Sequence, residues 1–259
     1  MDLYSMMASF TFSSVFITGS NRGLGLNMIK HILNSSTVPK HIIATCRSLK
    51  ADNAQELQKL AETNSNIHVL EFDMADVSGP RLPEPVKQVL DIVQEAGLNL
   101  LINNAGMNLK ETFDEVSPDI MRRTFDVNTI APCMITKAFR PLLKRAAEMK
   151  QPGEQPEAAV VNISSDLGSI DNITNAYMLA YKVSKAALNM VTKAVSGEFA
   201  DDGITVVSVH PGWVKTDMGG SNASLTIDES VSSVVKVISS LQKSQTGSFF
   251  SYDGTILPW

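Results

Sequence analysis

The amino-acid sequence predicts an α/β protein: a single doubly wound domain in which about seven parallel strands carry helices on both faces. Short apolar runs alternate with amphipathic stretches along the chain, and no change of composition divides it. The runs are continuous and rich in Val and Ile, which is typical of strands covered on both faces. With 259 residues, of which 44% are hydrophobic, the chain can bury one large core.

Seven apolar runs are the predicted strands, and the stretches between them have the periodicity of helices. Helical spacing of apolar residues is clear over 24–33 and 180–200. Two further helices have recognisable starts: a Ser-Pro pair opens 117–149, and a Thr-x-x-Glu capping box opens the helix that begins near 226. The predicted strands are 15–19, 41–46, 67–72, 100–104, 159–164, 205–210 and 248–252.

Charge and composition exclude several classes of protein. The net charge of −5 gives no basis for binding nucleic acid or an anionic membrane surface, and no apolar run approaches the ~20 residues that span a bilayer. Cys46 and Cys133 cannot form a zinc ribbon or a disulfide framework, which favours a reducing compartment and a cytoplasmic protein. The four histidines lack metal-ligand spacing, so we expect no metal site. Residues 1–13 are expected to be a loose tail and residues 14–259 to be the domain.

A glycine-rich turn joins the first predicted strand to the first helix. Residues 18–25 read TGSNRGLG. Glycine allows a sharp turn, a close approach of backbone amides to a diphosphate, and tight packing of the helix on the sheet. Although the spacing differs from G-x-G-x-x-G, its position after the first strand predicts a Rossmann-type dinucleotide site.

The end of the second predicted strand indicates which dinucleotide is bound. A site for NAD would place Asp or Glu about 20 residues past the last glycine, on the ribose hydroxyls. This strand instead ends with Thr45, Cys46 and Arg47. The guanidinium groups of Arg47 and Arg22 could make paired hydrogen bonds to a 2′-phosphate, so the sequence favours NADP(H). A solvated arginine at a strand end is the alternative.

Polar residues follow the next three predicted strands. Ligands collect at the carboxyl ends of strands in open α/β sheets, although turn formation alone would also explain such residues. Asn128 lies inside a predicted helix before Pro132, where a buried amide is costly unless it has partners. The polar strand ends are Asp73 with Met74, the NNAG segment 103–106, and Ser164 with Ser165.

Tyr181 and Lys185 lie at the start of a predicted helix. One helical turn separates them, so their side chains share one face. A Y-x-x-x-K pair alone is common by chance, with the tyrosine packed and the lysine solvated. The pair becomes a candidate catalytic pair because of its place in the chain. The glycine turn, NNAG, Asn128 and a strand-end serine all precede it.

These motifs together resemble the short-chain dehydrogenase/reductase family. The segments TGSNRGLG, NNAG, NISS, YKVSK and PGWVKTDM carry the resemblance, which covers nearly the whole chain from Val15 onward. Arg47, PGWVKTDMGG and the ending YDGTILPW are similar to the carbonyl reductases named sniffer and to their C-factor-like relatives. The resemblance implies a Rossmann-type fold, NADP(H) as cofactor, a small-molecule carbonyl substrate and a homodimer.

The resemblance also implies which residues function. The catalytic set would be Asn128, Ser165, Tyr181 and Lys185. The segment between Ser165 and Tyr181 is longer than is usual in the family, so we expect it to reshape the wall of the substrate pocket. The cofactor-binding positions would be Gly19, Ser20, Asn21, Arg22, Gly23, Leu24, Gly25, Arg47, Asp73, Met74, Asn103, Ala105, Gly106, Tyr181, Lys185, Pro211, Gly212, Val214 and Thr216.

The implied reaction is the reduction of an aldehyde, ketone or quinone. The cofactor must supply the hydride, and Tyr181 would give a proton to the oxygen. We expect the ammonium group of Lys185 to lower the pKa of Tyr181, because an opposite charge favours the phenolate. Ser165 would donate a hydrogen bond to the substrate oxygen. By resemblance, Asn128 would hold a water that links Lys185 to bulk solvent.

Two other functions are compatible with these residues. An NAD(P)-linked alcohol or hydroxysteroid dehydrogenase would use them in the oxidative direction. A non-catalytic NADP(H)-binding redox regulator would need the glycine turn but no proton donor, and the intact Ser, Tyr and Lys argue against it. The candidates for an apolar substrate wall are Met107, Tyr177, Trp213 and Met218.

Overall fold

The computed structural model describes residues 10–76, 82–149, 153 and 155–259. These residues form one parallel sheet with helices on both faces, so the predicted fold class is confirmed. The strands are β1 (Ser14–Ile17), β2 (His41–Cys46), β3 (Ile67–Glu71), β4 (Leu100–Asn103), β5 (Ala158–Ile163), β6 (Ile204–His210) and β7 (Phe249–Ser251). Across the sheet they follow the order β3-β2-β1-β4-β5-β6-β7.

Seven α-helices connect the strands in the described part of the chain. The helices predicted over 24–33 and 180–200 are confirmed, with slightly different ends. The stretch predicted as one helix over 117–149 consists of two helices joined by a π-helical turn, Asp126–Ile130. The helices are α1 (Gly23–Leu33), α2 (Gln55–Thr63), α3 (Pro83–Val93), α4 (Pro118–Phe125), α5 (Ala131–Glu148), α6 (Leu179–Glu198) and α7 (Ile227–Ser239).

The strands bury apolar side chains on both faces of the sheet. In β1, Val15 and Ile17 pack on the face covered by α1 and α7, whereas Phe16 packs on the face covered by α3 and α5. All three side chains are 0% exposed, and burying each contributes about 2 kcal/mol. This arrangement explains why the strands appear in the sequence as continuous apolar runs.

The loose tail predicted over residues 1–13 is wrong for residues 10–13. Phe10 and Phe12 are 0% and 3% exposed, and their rings meet edge to face with centroids 5.9 Å apart. The Ser13 carbonyl accepts hydrogen bonds from the N–H groups of Lys40 and His41 at the start of β2. The aromatic residues therefore anchor this segment to the core. The rest of the predicted tail lies outside the described residues.

The strand order brings the polar motifs to one edge of the sheet. The order reverses between β1 and β4, and ligands of open α/β sheets bind at the carboxyl ends of the strands at such a point. Among the described residues, no helix has the length and apolar character needed to cross a membrane. The same residues contain no cluster of three or more potential metal-ligating side chains.

We expect Phe10→Ala to destabilise the fold, because it removes a fully buried ring and leaves a cavity. The free energy of unfolding, measured by urea denaturation, should fall by about 3 kcal/mol. Phe113→Ala is the matched control: that ring is 63% exposed. Its loss should change stability by less than about 0.5 kcal/mol. Equal effects of the two substitutions would mean that the N-terminal segment does not pack on the core.

Candidate active site

The turn after β1 needs glycine for two different reasons. Gly19 and Gly23 have φ values of +66° and +56°, in the left-handed region that favours glycine. A Cβ at Gly25 would collide with the Gly19 carbonyl oxygen and the Asn104 side chain. Leu24 packs against the core. The first turn of α1 carries no acidic residue and its N-cap makes no side-chain cap, so its amide groups can bind an anion.

Thr18 and Asn104, which were not among the predicted site residues, hold this turn to the end of β4. Thr18 Oγ1 accepts hydrogen bonds from the N–H groups of Asn104 and Ala105, both at 2.9 Å. Asn104 Nδ2 donates to the carbonyl oxygens of Thr18 at 2.8 Å and Gly19 at 3.1 Å. The signal in the sequence was the second asparagine of NNAG, whose side chain fixes the glycine turn.

The glycine turn is also tied to the end of β2, where Arg47 lies exposed. The Ser20 N–H donates to the Thr45 carbonyl at 2.7 Å. Asn21 Nδ2 donates to Asn53 Oδ1, in the segment after β2, at 2.8 Å. The Ser20 hydroxyl is buried and donates to the Ile17 carbonyl, so this predicted cofactor position uses its side chain inside the turn.

A cleft of about 420 Å³ opens between the glycine turn and the segment that follows β6. Arg22, Gly23 and Thr216, all predicted cofactor positions, line it together with Lys215 and Asp217. Arg22 forms an ion pair with Asp217. The two cationic side chains give the cleft the charge that favours phosphate groups.

The segment after β6 forms a wall of this cleft. The Pro211 carbonyl accepts a hydrogen bond from the Ser230 hydroxyl of α7 at 2.6 Å. Val214 pairs with Leu225 in an isolated β-bridge, and Gly212 has a φ of +82°. These predicted positions therefore shape the backbone of the wall.

The residues after β3 and β4 differ in what their side chains do. Asp73 is partly exposed and Met74 is buried. The Asn103 side chain is 2% exposed and donates to Asn162 Oδ1 at 2.8 Å and to Thr136 Oγ1 at 3.1 Å. The structure thus uses the Asn103 side chain to join β4 to β5 and α5. A cofactor contact at this predicted position could come only from the backbone.

Asn128 lies in the π-helical turn and is fully buried. Its Oδ1 accepts from the Met107 N–H at 2.8 Å, and its Nδ2 donates to the Met107 carbonyl at 2.9 Å and the Ser184 hydroxyl at 3.0 Å. These bonds offset the cost of burying the amide. A Cβ added at Gly106 would lie 3.4 Å from Asn128 Oδ1 and 3.7 Å from Lys185 Nζ. Glycine at this position therefore leaves space between those two groups.

Tyr181 and Lys185 lie in the first two turns of α6. Glu111, which is 4% exposed, accepts the Ala180 N–H at 2.7 Å and so caps the start of the helix. Lys185 Nζ donates to the Ile163 carbonyl at 2.7 Å and lies 5.7 Å from the centroid of the Tyr181 ring. Sequence reasoning missed Glu111, because a cap from a distant segment leaves no local pattern.

The structure distinguishes the two serines at the end of β5. Ser164 is 1% exposed, and its hydroxyl donates to Asn189 Oδ1 of α6 at 2.7 Å. The Ser165 hydroxyl is hydrogen-bonded to the Tyr181 phenol and lies 3.1 Å from Asp166 Oδ1. Ser165 is thus the serine beside Tyr181, in agreement with the position that the resemblance implied.

Burial controls the acid–base properties of this cluster. It raises the pKa of Tyr181 to about 12; the hydrogen bond with Ser165 acts in the opposite direction, and the Asp166 carboxylate adds to the rise. Burial lowers the pKa of Lys185 to about 8. The predicted lowering of the Tyr181 pKa is therefore wrong in this structure, because removing the phenolate from water is the largest effect on this group. The phenol holds its proton at neutral pH.

The chain matches known proteins over most of its length. The family model for short chain dehydrogenase matches residues 13–226. The chain belongs to the short-chain dehydrogenase/reductase family. It is therefore an oxidoreductase of that family, as the motifs indicated.

Its structure is close to those of carbonyl reductases in this family. The carbonyl reductase Sniffer of D. melanogaster is 42% identical, with a TM-score of 0.92 over 96% of this chain and 100% of that one. The NADPH-bound carbonyl reductase from chicken fatty liver is 39% identical, with a TM-score of 0.90 over 96% of this chain and 99% of that one. An uncharacterized oxidoreductase of Schizosaccharomyces pombe is 31% identical over 94% of this chain and 97% of its own length.

We expect Lys185→Met to stabilise the fold at pH 7. Burying the ammonium costs about 3 kcal/mol, given a pKa lowered from 10.5 to about 8. This cost is complete below pH 8 and disappears as the pH rises through 10.5, since the amine is then neutral in both folded and unfolded states. The substitution also removes the hydrogen bond to the Ile163 carbonyl, which reduces this gain in stability by about 1 kcal/mol.

Urea denaturation should therefore show a net gain of about 2 kcal/mol for Lys185→Met at pH 7 and a net loss of about 1 kcal/mol near pH 10.5, where mainly the lost hydrogen bond counts. Lys193→Met, an exposed lysine of the same helix, is the control and should change stability by less than about 0.5 kcal/mol. A loss of stability at pH 7 would contradict the lowered pKa of Lys185.

Proposed function

We propose that this protein is an NADPH-dependent carbonyl reductase, which transfers a hydride to an aldehyde, ketone or quinone and a proton from Tyr181. The observation that carries the proposal is the cluster of Tyr181, Ser165 and Lys185 at the carboxyl edge of the sheet, with the phenol protonated at neutral pH. Similarity to two carbonyl reductases, at 42% and 39% identity, supports the same reaction.

The residues that would hold NADP(H) have donor groups suited to its phosphates. Backbone amides at the start of α1 and the cationic groups of Arg22 and Lys215 would bind the diphosphate. Arg47, exposed at the end of β2, would bind the 2′-phosphate. One of the similar carbonyl reductases is an NADPH-bound structure.

Each residue of the cluster would have its own part in the reduction. When bound, NADPH supplies the hydride, which no side chain can provide. Tyr181 would donate its proton to the carbonyl oxygen as negative charge develops there. Ser165 would turn its one hydroxyl proton from Asp166 to the same oxygen. Lys185, with a pKa of about 8, carries a proton at neutral pH, and its charge would stabilise the phenolate that proton transfer leaves.

Asn128 would act by positioning these groups. Its hydrogen bonds join Met107, at the end of β4, to Ser184, the residue before Lys185. The water predicted from the family resemblance would use the space that Gly106 leaves between Asn128 Oδ1 and Lys185 Nζ. Proton resupply to Lys185 would then pass through this point.

The two alternative functions have less support. A redox regulator would gain nothing from a buried lysine beside a protonated phenol, which costs stability. An enzyme working in the oxidative direction needs Tyr181 to accept a proton. A phenol with a pKa of about 12 is protonated at neutral pH, which is the state from which reduction would start.

Exposed apolar side chains on segments that adjoin the site residues in the sequence support an apolar substrate. Three of the predicted wall residues are exposed: Tyr177 by 47%, Trp213 by 54% and Met218 by 36%. Ile170, in the long segment between the catalytic serine and tyrosine, is 75% exposed. Exposed apolar residues on segments that border a site are typical of a binding surface.

One feature supports a homodimer, and another supports a cytoplasmic location. Ile130, Val183 and Met190 are exposed by 38%, 36% and 69% on the helical layer that contains α6, where apolar contact between two copies would cover them. Cys46 and Cys133 are both unpaired thiols, as a reducing compartment favours.

We expect Tyr181→Phe to lower kcat about a thousandfold, because the proton donor is lost. The measurement is loss of NADPH absorbance with a panel of aldehydes, ketones and quinones. NADPH affinity, followed by the fluorescence of the reduced cofactor, should change by less than about threefold, because the glycine turn is untouched. Tyr252→Phe makes the same chemical change at a tyrosine outside the cluster and the predicted substrate wall, and it should keep kcat. Retained turnover in Tyr181→Phe would refute the proposed mechanism.

We expect Arg47→Asp to weaken NADPH binding by about tenfold to a hundredfold, since it replaces a charge-assisted partner of the 2′-phosphate with a like charge. NADH affinity should stay the same or improve. Lys50→Asp is the control, because it makes the same charge change at an exposed residue of the same loop. Equal losses in the two variants would indicate a general effect of charge and not a phosphate site at Arg47.

A further inference from the structure

The residue after Ser165 brings a carboxylate to the site. Ser165 Oγ donates to Asp166 Oδ1 at 3.1 Å, and 52% of the Asp166 side chain is exposed. The same carboxylate raises the pKa of the Tyr181 phenol, so its charge acts on both hydroxyl groups that would receive a substrate oxygen. The proposed chemistry assigns no role to this charge.

His210 is the group placed to neutralise Asp166. Its Nδ1 lies 3.6 Å from Asp166 Oδ1 and has no hydrogen-bond partner among the described residues. Burial lowers the pKa of His210 below 6.5, although the carboxylates of Asp166 and Asp253 both act to raise it. The lowered pKa makes the imidazole less able to carry the positive charge that would offset the Asp166 carboxylate.

We propose that Asp166 is a specificity-determining residue that makes the site reject carbonyl compounds with a carboxylate beside the carbonyl and accept their uncharged esters. The proposal rests on the proposed function, because it concerns the substrate of the same site. A carbonyl oxygen that accepts from Ser165 at about 2.8 Å must lie within about 6 Å of Asp166 Oδ1.

The expected size of the discrimination follows from Coulomb repulsion. A carboxylate bonded to the reacting carbon would lie about 8 Å from the Asp166 carboxylate. With an effective dielectric constant of about 20 to 40, two unit charges at that distance repel enough to lower kcat/KM about sixfold to thirtyfold. We take about tenfold as the effect of the Asp166 charge, since half of the side chain is in water.

Asp166 also has a structural contact that the experiment must preserve. Its Oδ1 accepts the Leu167 N–H at 2.8 Å and so supports the turn after Ser165. Asp166→Asn keeps an acceptor oxygen at this position while removing the charge. A damaged turn would lower turnover of charged and uncharged substrates alike, whereas removal of the charge changes only their ratio.

The test compares phenylglyoxylate with its methyl ester at pH 7.5 and saturating NADPH. The ester is intrinsically the more reactive carbonyl, so the quantity that matters is how the ratio of kcat/KM for ester over acid changes between variants. Asp166→Asn should lower this ratio about tenfold from its wild-type value. Asp166→Glu, which restores the charge, should keep the ratio within about threefold of wild type. Asp171→Asn, at an exposed carboxylate of the following turn, should leave it unchanged.

The outcomes separate this proposal from the proposed function. If the ester is reduced and Asp166→Asn has the wild-type ratio, the charge of Asp166 does not select substrates, and the proposal fails while the reductase assignment stands. If Asp171→Asn lowers the ratio as much as Asp166→Asn, the effect is one of net charge, which also overturns the proposal. If neither compound nor any other carbonyl is reduced, the proposed function fails and the proposal fails with it.

Discussion

The site depends on one hydrogen bond between a helix and a strand. Lys185 Nζ donates to the Ile163 carbonyl at 2.7 Å and thereby fixes α6 against the end of β5. Ser165 lies two residues after Ile163 along the chain, and Tyr181 precedes the lysine by one helical turn. The bond therefore sets the distance between the serine and the tyrosine. The bond requires a buried amine, and burial lowers the pKa of that amine to about 8. The charged lysine therefore destabilises the fold at the place where the proposed chemistry needs a positive charge.

Much of the fold could be predicted because the pattern of apolar residues along the sequence matches the side chains that the structure buries. Strands covered on both faces leave continuous apolar runs, and helix caps leave short polar signatures. The N-terminal segment shows where this reasoning stops. Phe10 and Phe12 are buried against residues far along the chain. Composition alone cannot distinguish an apolar tail in solvent from one that fills the edge of a core.

The candidate site was predictable in its residue types and less so in its contacts. The order of motifs along the chain pointed to Tyr181 and Lys185, and the family resemblance selected Ser165 over Ser164; the structure brings the three residues together. The direction of the Tyr181 pKa was wrong, because burial of a phenol depends on packing that no local pattern encodes. Asn103 was predicted as a cofactor position without a role for its side chain, which donates to Asn162 and joins β4 to β5. In parallel sheets, partners in contact come from segments distant in sequence.

The π-helical turn at Asp126–Ile130 restricts how many residues the segment between α4 and α5 can contain. Such a turn holds one residue more than a regular helix would, and one residue corresponds to about 100° of rotation. It lets Asn128 reach Met107 while Ile135 and Phe139 of α5 face the core. Deleting any single residue here would restore a regular helical turn and move Asn128 away from Met107, while α4 and α5 would keep their orientation. The helix should thus tolerate many exchanges of side chain and almost no change in length.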